Sequence, residues 1–348
     1  MYRNLIPAAL LMLFMLSCEN STNTAEPELA SVYVLNEGNF GSANSSITSY
    51  DPETGQVQQG IFTAANNRPA GDLLQSVTRI DDRLFMVVNN SHTIEVVEAE
   101  NFSSIATIRI ANEASPRNFI PVTAEKGYVT NLYGNSVSVI DLNTYVEESV
   151  IPVGENPEGI ARVGDRVYVA NSGLGNGNTL SVIDALNDVV TDTIVVGDNP
   201  VAVTADSFGR VWVVCVGAYG DFSDPEDDTP GEVYIFNGEE GTLIKKLFIG
   251  GHPGELTIDA ELGKAYLISD NVIEIDATSL EITNRSFIDR GFYAIGLSTF
   301  GDEPYLWTTD PLNYIQAGKA IRYDLSGVAV DSFETGIIPG GFYFASEK

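Results

Sequence analysis

The sequence predicts an all-β protein, a seven-bladed β-propeller whose first blade is closed by N- and C-terminal strands. Two observations carry that expectation. The first is an internal repeat. Lys126-Gly-Tyr-Val-Thr-Asn131 runs into Ser136-Val-Ser-Val-Ile-Asp141, then Val150-Ile-Pro-Val-Gly154 and Asn156-Pro157. One period later come Arg166-Val-Tyr-Val-Ala-Asn171, Leu180-Ser-Val-Ile-Asp184, Ile194-Val-Val-Gly197 and Asn199-Pro200. A period of about 40–45 residues with four short strands is the signature of a propeller blade. The second observation is that the repeat is out of phase with the chain ends. The first strand-like segment, Ser31-Val-Tyr-Val-Leu-Asn36, matches the second strand of a repeat, and the corner-plus-strand that should precede it stands at the other end, in Ile338-Pro-Gly-Gly-Phe-Tyr-Phe344.

Taken in order, each repeat has an inner strand opened by a Pro or Gly corner, a second strand ending near Asn or Asp, a third strand ending in Asp, and an Ile/Val-rich fourth strand. Seven third strands align: Ser46 to Asp51, Thr93 to Glu98, Val137 to Asp141, Leu180 to Asp184, Val233 to Asn237, Val272 to Asp276 and Ile321 to Asp324. Several alternate apolar and polar residues, as half-buried strands do. Their terminal Asp, Glu or Asn turns the chain into the fourth strand, because a short side-chain acceptor satisfies turn amides. Residues 63–74 are expected to form a turn or short helix between blades one and two. The corner prolines Pro157 and Pro200 are 43 residues apart and Pro200 and Pro253 are 53 apart, so blade five carries an insertion.

Residues 31–348 are thus expected to be one domain, since a chain of this length buries enough surface as a single closed ring. Ahead of it, Arg3 precedes an apolar run from Leu5 to Leu16 and then Ser17-Cys18. The run is too short to span a membrane. It reads as a signal peptide over residues 1–17. Met15-Leu-Ser-Cys18 looks like a lipoprotein signal that would leave Cys18 acylated, and residues 18–30 read as a flexible tether. With Glu19 rather than Asp after the cysteine, outer-membrane delivery is expected, surface-exposed or periplasmic. The formal charge of −30 argues against nucleic acid and against anionic lipid surfaces as partners, so any membrane contact is through the lipid anchor. Cys215, the other cysteine, is expected to be a buried small apolar residue.

Tyr128-Val-Thr-Asn131, followed by Val-Ser-Val-Ile-Asp and by Val-Gly-x-Asn-Pro, resembles the YVTN repeat of YncE-like surface β-propellers. Val34-Leu-Asn-Glu-Gly-Asn-Phe-Gly41 behind a lipoprotein signal is more particularly similar to Bacteroidota surface lipoproteins of this type, the BtuG-like group. That resemblance implies capture of cobalamin and its transfer to a TonB-dependent outer-membrane transporter. It is specific for fold and weaker for function, because the motif residues are strand and turn residues.

Loops leaving the second strands and loops reaching the inner strands emerge on one face of such a ring. They are rich in Asn and Gly and carry aromatic rings. Amides both donate and accept, and Tyr supplies flat apolar area at low entropic cost. The candidate ligand-binding set is Asn36, Asn39, Phe40, Asn89, Arg117, Asn131, Tyr133, Asn171, Tyr219, Phe222, His252, Arg290 and Tyr314, suited to a ligand with a flat body such as a corrinoid or a glycan. Arg68 is a further corner residue of that face. Asp221, Asp224, Glu226, Asp227 and Asp228 in the blade-five insertion could hold Ca²⁺, but their spacing does not fit an EF-hand and a solvated acidic loop is the preferred reading. Catalytic and cofactor signals are poor. His92 and His252 lie in different blades, and no nucleophile elbow, haem-attachment or dinucleotide motif is present. No cofactor is expected. The alternatives are a lactonase-type hydrolase holding a metal among Glu158, Glu255, Asn118 and Asp270, and a scaffold subunit of a transporter complex.

Overall fold

The computed structural model describes residues 31–220, 227–300 and 303–345. The signal, Cys18 and the tether therefore lie outside the described residues. Those residues form seven four-stranded antiparallel sheets. Six take their strands in chain order, from the blade of Leu74–Ile80, Arg83–Val88, Thr93–Glu98 and Ser104–Arg109 to that of Ile295–Phe300, Glu303–Asp310, Ala317–Tyr323 and Ala329–Ile337. The seventh is assembled from both ends, with Pro339–Ala345 as its inner strand beside Ser31–Asn36, Ser46–Tyr50 and Val57–Gln58. The expected seam is present: Val32 pairs Phe344 and Val34 pairs Phe342, while the Tyr33 and Tyr343 rings stack at 5.6 Å.

There is no single core. Each neighbouring pair of blades buries its own apolar layer, because both faces of a propeller blade are covered by neighbours. Phe85, Val87, Ile94 and Ile108 of blade two meet Phe119, Val129 and Ile140 of blade three. Trp212, Val214 and Ile235 of blade five meet Leu267, Ile273 and Ile275 of blade six. The layer that closes the ring joins Trp307, Ala320 and Phe333 of blade seven to Val32, Val34 and Tyr50 of blade one. Hydroxyls stitch the same joints. Thr78 Oγ1 donates to Phe119 O at 2.7 Å, Tyr168 OH to Gly238 O at 2.8 Å and Thr309 Oγ1 to Pro339 O at 2.7 Å.

The repeated residues acquire physical reasons. The Asp or Asn ending the third strand accepts the amides of the following turn. Asp141 Oδ1 takes Asn143 N (2.7 Å) and Thr144 N (3.0 Å), and Asn237 Oδ1 takes Glu239 N and Glu240 N. Those turn amides hold the carboxyl of Asp141, and likewise Asp276, below its ordinary range, while Asp184 and Asp324 are lowered first by the Asn187 side chain and the Ser326 hydroxyl and then by turn amides. The glycine of Val-Gly-x-Asn-Pro packs on the next blade's strand-end amide: a Cβ on Gly154 would stand 2.5 Å from Asn171 Cγ. The motif's Asn adopts a left-handed backbone, φ 47° at Asn156 and 54° at Asn199, which Asn tolerates better than most residues. The helix between blades one and two is Ile61–Asn66, starting earlier than expected and burying Phe62. Cys215 is fully buried, which pushes its thiol up to about 12.

Removing residues 337–348 would delete the inner strand of the closing blade and expose the layer around Trp307. We expect the truncated chain to lose its cooperative thermal transition or to melt far below the full-length protein. Circular dichroism melts check this, and an unchanged cooperative transition would contradict the closure.

Candidate functional site

All seven blades present the same edge to the axis, so the loops between second and third strands share one rim. Four exposed rings stand on that rim: Phe40 (76% exposed), Tyr133 (64%), Tyr219 (54%) and Tyr314 (50%). They come from blades one, three, five and seven. Exposure of apolar rings is costly, which makes a group of them on one face a candidate for a binding surface.

The loops that carry the rings are tied down. Asn39 N donates to Asn44 Oδ1 (2.8 Å), Asn39 Nδ2 to Tyr314 O (2.8 Å) and Gly41 N to Asp72 Oδ2 (2.8 Å), which links the blade-one loop to blades seven and two. Gly38 permits this turn, with φ 78° and no space for a Cβ, which would meet Asn44 Oδ1 at 2.4 Å. The Tyr133 amide donates to Ala114 O (3.1 Å), and Asn156 Nδ2 donates to Leu132 O (3.0 Å). Tyr219 stacks on His252 at 3.8 Å between ring centroids. His252 in turn faces Asp228 Oδ2 and Val216 O, each at 3.1 Å. It anchors the base of the blade-five loop and does not line the channel.

Four of the expected binding residues are placed elsewhere. Asn36, Asn89, Asn131 and Asn171 are buried and present no surface to a ligand. Asn131 Nδ2 donates to Ser136 Oγ (3.2 Å) and Ser138 Oγ (2.6 Å), and Asn171 Nδ2 to Thr179 Oγ1 (3.1 Å) and Ser181 Oγ (3.0 Å). Asn36 does the same with Ser46 and Thr48, and Asn89 Nδ2 reaches Pro116 O in the next blade. Three of these amides pin the second strand to the third and that of Asn89 ties its blade to the next, so the repeated Asn holds the blades together. Arg290 ion-pairs with Asp310 and lies over Phe292 on the outer part of blade seven. Arg68 pairs with Glu95 on blade two. Phe222, Asp221, Asp224 and Glu226 lie outside the described residues. Of the two remaining candidate metal carboxylates, Asp228 is the His252 partner, and among the described residues no group of three or more His, Cys, Asp or Glu is arranged to hold a metal ion.

Below the rim the inner strands converge on a cavity of about 350 Å³ lined by all seven blades. Arg117 lies here, with its Nε 2.7 Å from Glu158 Oε2 and a second hydrogen bond to Gln75. Glu158, Asn118 and Glu255 line the same cavity, and Asp270 does not. Sequence reasoning missed Glu37, Gln75 and Tyr293 as wall residues. A signal was available: the residue after each corner faces the axis, as Gln75, Arg117, Glu158, Val201 and Gly340 do. Tyr293 OH donates to Glu37 Oε1 at 3.2 Å, and its ring meets Tyr314 edge-on at 5.7 Å, which joins cavity to rim.

The cavity is electrostatically uneven. Glu255 lies deep in the ring, and burial pushes its carboxyl up to about 8, assisted by the charge of Glu37 and opposed by one hydrogen bond from Ile295 N at 3.1 Å. Burial also raises Glu37, against the pull of Tyr293, Arg117 and Gln75. A folded-state value above the unfolded one means that the folded protein holds a proton which the unfolded chain releases. The Glu255 contribution is therefore favourable below about pH 4.5 and erodes as pH rises to about 8. Glu255→Gln removes that slope. We expect its melting temperature to match wild type near pH 5 and to exceed it by roughly 3 °C or more at pH 9, measured by calorimetry. A constant difference across that range would contradict the buried, protonated carboxyl.

Comparison with known proteins bears on the fold. No curated protein matches the chain. Solved propellers resemble it closely in shape and distantly in sequence. A candidate 6-phosphogluconolactonase from Bacteroides fragilis has 12% identity and a TM-score of 0.69, with 92% of this chain and 99% of that one covered. A quinonprotein alcohol dehydrogenase-like protein from Bacteroides thetaiotaomicron has 13% identity and a TM-score of 0.67, covering 91% and 78%. AztD from Citrobacter koseri has 10% identity and a TM-score of 0.56, covering 92% and 99%. At such identities the likeness is one of fold. Residues 30–217, more than half of the chain, match the family described as Domain of unknown function (DUF5074), and the chain belongs to that family.

Proposed function

We propose that this protein is a non-catalytic binding propeller, lipid-anchored through Cys18 at the outer membrane, whose aromatic rim captures an extracytoplasmic ligand with a broad flat body. The observation that carries this reading is the set Phe40, Tyr133, Tyr219 and Tyr314, exposed together on one face of a rigid ring. Loops already fixed by hydrogen bonds lose little freedom on association, so ring-to-ring contact converts into affinity with a small ordering cost. Cobalamin is the ligand class that we favour. Its corrin offers a flat apolar face and its primary-amide arms both donate and accept, which suits a rim of rings set among Asn side chains and backbone amides. The resemblance to YncE-like, BtuG-like surface lipoproteins supports the same choice, with a TonB-dependent transporter as the partner that receives the ligand.

A metal-dependent lactonase reading has one observation in its favour, the convergence of Glu158, Glu255 and Asn118 on the channel mouth. Arg117 weighs against it, because its guanidinium already neutralises Glu158 where a cation would sit.

Isothermal titration of the purified chain with cyanocobalamin tests the proposal. We expect saturable binding, and a loss of roughly tenfold in affinity for each of Phe40→Ala, Tyr133→Ala and Tyr314→Ala. An absence of heat and of co-elution on gel filtration would remove cobalamin. Full affinity in the triple variant would remove the rim.

A further inference from the structure

The channel-mouth cavity differs from the rim in depth and in chemistry. Its wall is mostly polar and includes a single cationic side chain, Arg117, which is held by Glu158 and Gln75. Two further carboxyls, Glu37 from blade one and Glu255 from blade six, face the same space outside any ion pair among the described residues, although Arg117 is near enough to Glu37 to favour its charged form. Glu37 receives the Tyr293 hydroxyl. Glu255, which lines the cavity, receives one backbone amide on Oε2, and among the described residues no partner meets its Oε1. A second chamber of about 300 Å³ continues down the axis and shares Gln75, Ala202, Val203, Glu255 and Gly340 with the first, so Glu255 stands at the junction of the two.

We propose that this cavity binds a compact hydroxylated organic ammonium, such as an amino sugar or amino alcohol, with its charged nitrogen between Glu37 and Glu255. The charge pattern selects a cation. An anion would meet two carboxyls outside any ion pair and an arginine that is already engaged by Glu158 and Gln75. The absence of a three-ligand cluster among the described residues argues for an ammonium rather than a metal ion, since a bare divalent ion needs more oxygen donors than two carboxyls supply. An ammonium brings several N–H donors to Glu255 Oε1, which has no partner among the described residues, and to the Glu37 carboxylate near it, which a single proton cannot do. Hydroxyl groups find Gln75, Asn118, Tyr293 and the inner-strand backbone along the wall.

Binding of the ammonium releases a proton. In the empty cavity Glu255 is held in its acid form by burial and by Glu37. An ammonium beside it reverses that electrostatic cost, so Glu255 ionises and the proton passes to solvent through the channel mouth. The titratable and charged groups facing Glu255 are Glu37, Tyr293, Glu158 and Arg117. Arg117 and Glu158 remain paired throughout, burial and neighbouring carboxylates raise Tyr293, and Tyr293, Arg117 and Gln75 offset the burial of Glu37, so Glu255 is the group that releases the proton.

The site does not depend on the rim reading, and its test is separable from it. Glucosamine, with glucose as the neutral control, is titrated into the full-length protein at pH 6. Two non-amine buffers of different ionisation enthalpy are used. We expect glucosamine to bind with close to one proton released per site, glucose to bind at least tenfold more weakly, and both Glu255→Gln and Glu37→Gln to lower glucosamine affinity at least tenfold. Phe40→Ala and Tyr133→Ala should leave it unchanged. Absence of binding at millimolar glucosamine, equal binding of glucose, or unaltered affinity and proton release in Glu255→Gln would overturn the proposal. If the Gln variants melt no lower than wild type at pH 6, a lost affinity reports the site and not misfolding.

Discussion

Everything in this molecule depends on the burial of apolar layers between neighbouring blades. Each sheet is apolar on both faces, so no blade is stable beside water, and the only arrangement that covers both faces of all of them is a closed ring. The constraint is most acute where the ring has to be shut. Trp307, Phe333, Phe342 and Phe344 from the C-terminal part meet Val32, Val34 and Tyr50 from the N-terminal part. The hydrogen bonds of Ser31–Asn36 to Pro339–Ala345 turn that contact into a shared sheet and leave no free strand edge at the joint.

The site follows from that geometry. A ring of like-oriented sheets brings the residue after every corner to the axis, which is how Gln75, Arg117, Glu158 and Gly340 come to share one cavity although they are distant in sequence. The same orientation puts every loop between second and third strands on a single face. Function can then be varied in loops while the blades stay fixed. Blade five illustrates this: its loop is longer than its neighbours', and His252, Tyr219 and Asp228 moor its base without disturbing the sheet beneath.

The architecture was legible in the sequence because it is written in local periodicity. Strand alternation, the turn-capping Asp141 and Asp184, and the left-handed Asn156 and Asn199 each have a local physical cause, and their repetition counts the blades. The displaced strand at Ile338 to Phe344 was visible for the same reason. The site was less legible. Asn131 and Asn171 looked like ligand amides because they sit at loop boundaries, but which way a side chain turns there depends on hydroxyls of the adjacent strand, at Ser138 and Ser181. Phe40, Tyr133 and Tyr314 were readable as rim rings, since loop position alone puts them there. Glu37 and Tyr293 were not, because their pairing joins blade one to blade seven across the seam and no local pattern encodes it.

Native-state hydrogen exchange at the seam tests the central claim most directly. If the termini form one sheet with full ring closure, the amides of Ser31–Asn36 exchange only through global unfolding, with protection within about tenfold of Lys126–Asn131 in blade three. Exchange of the seam amides that is faster by several orders of magnitude, while blade three stays protected, would contradict a ring held shut by its ends.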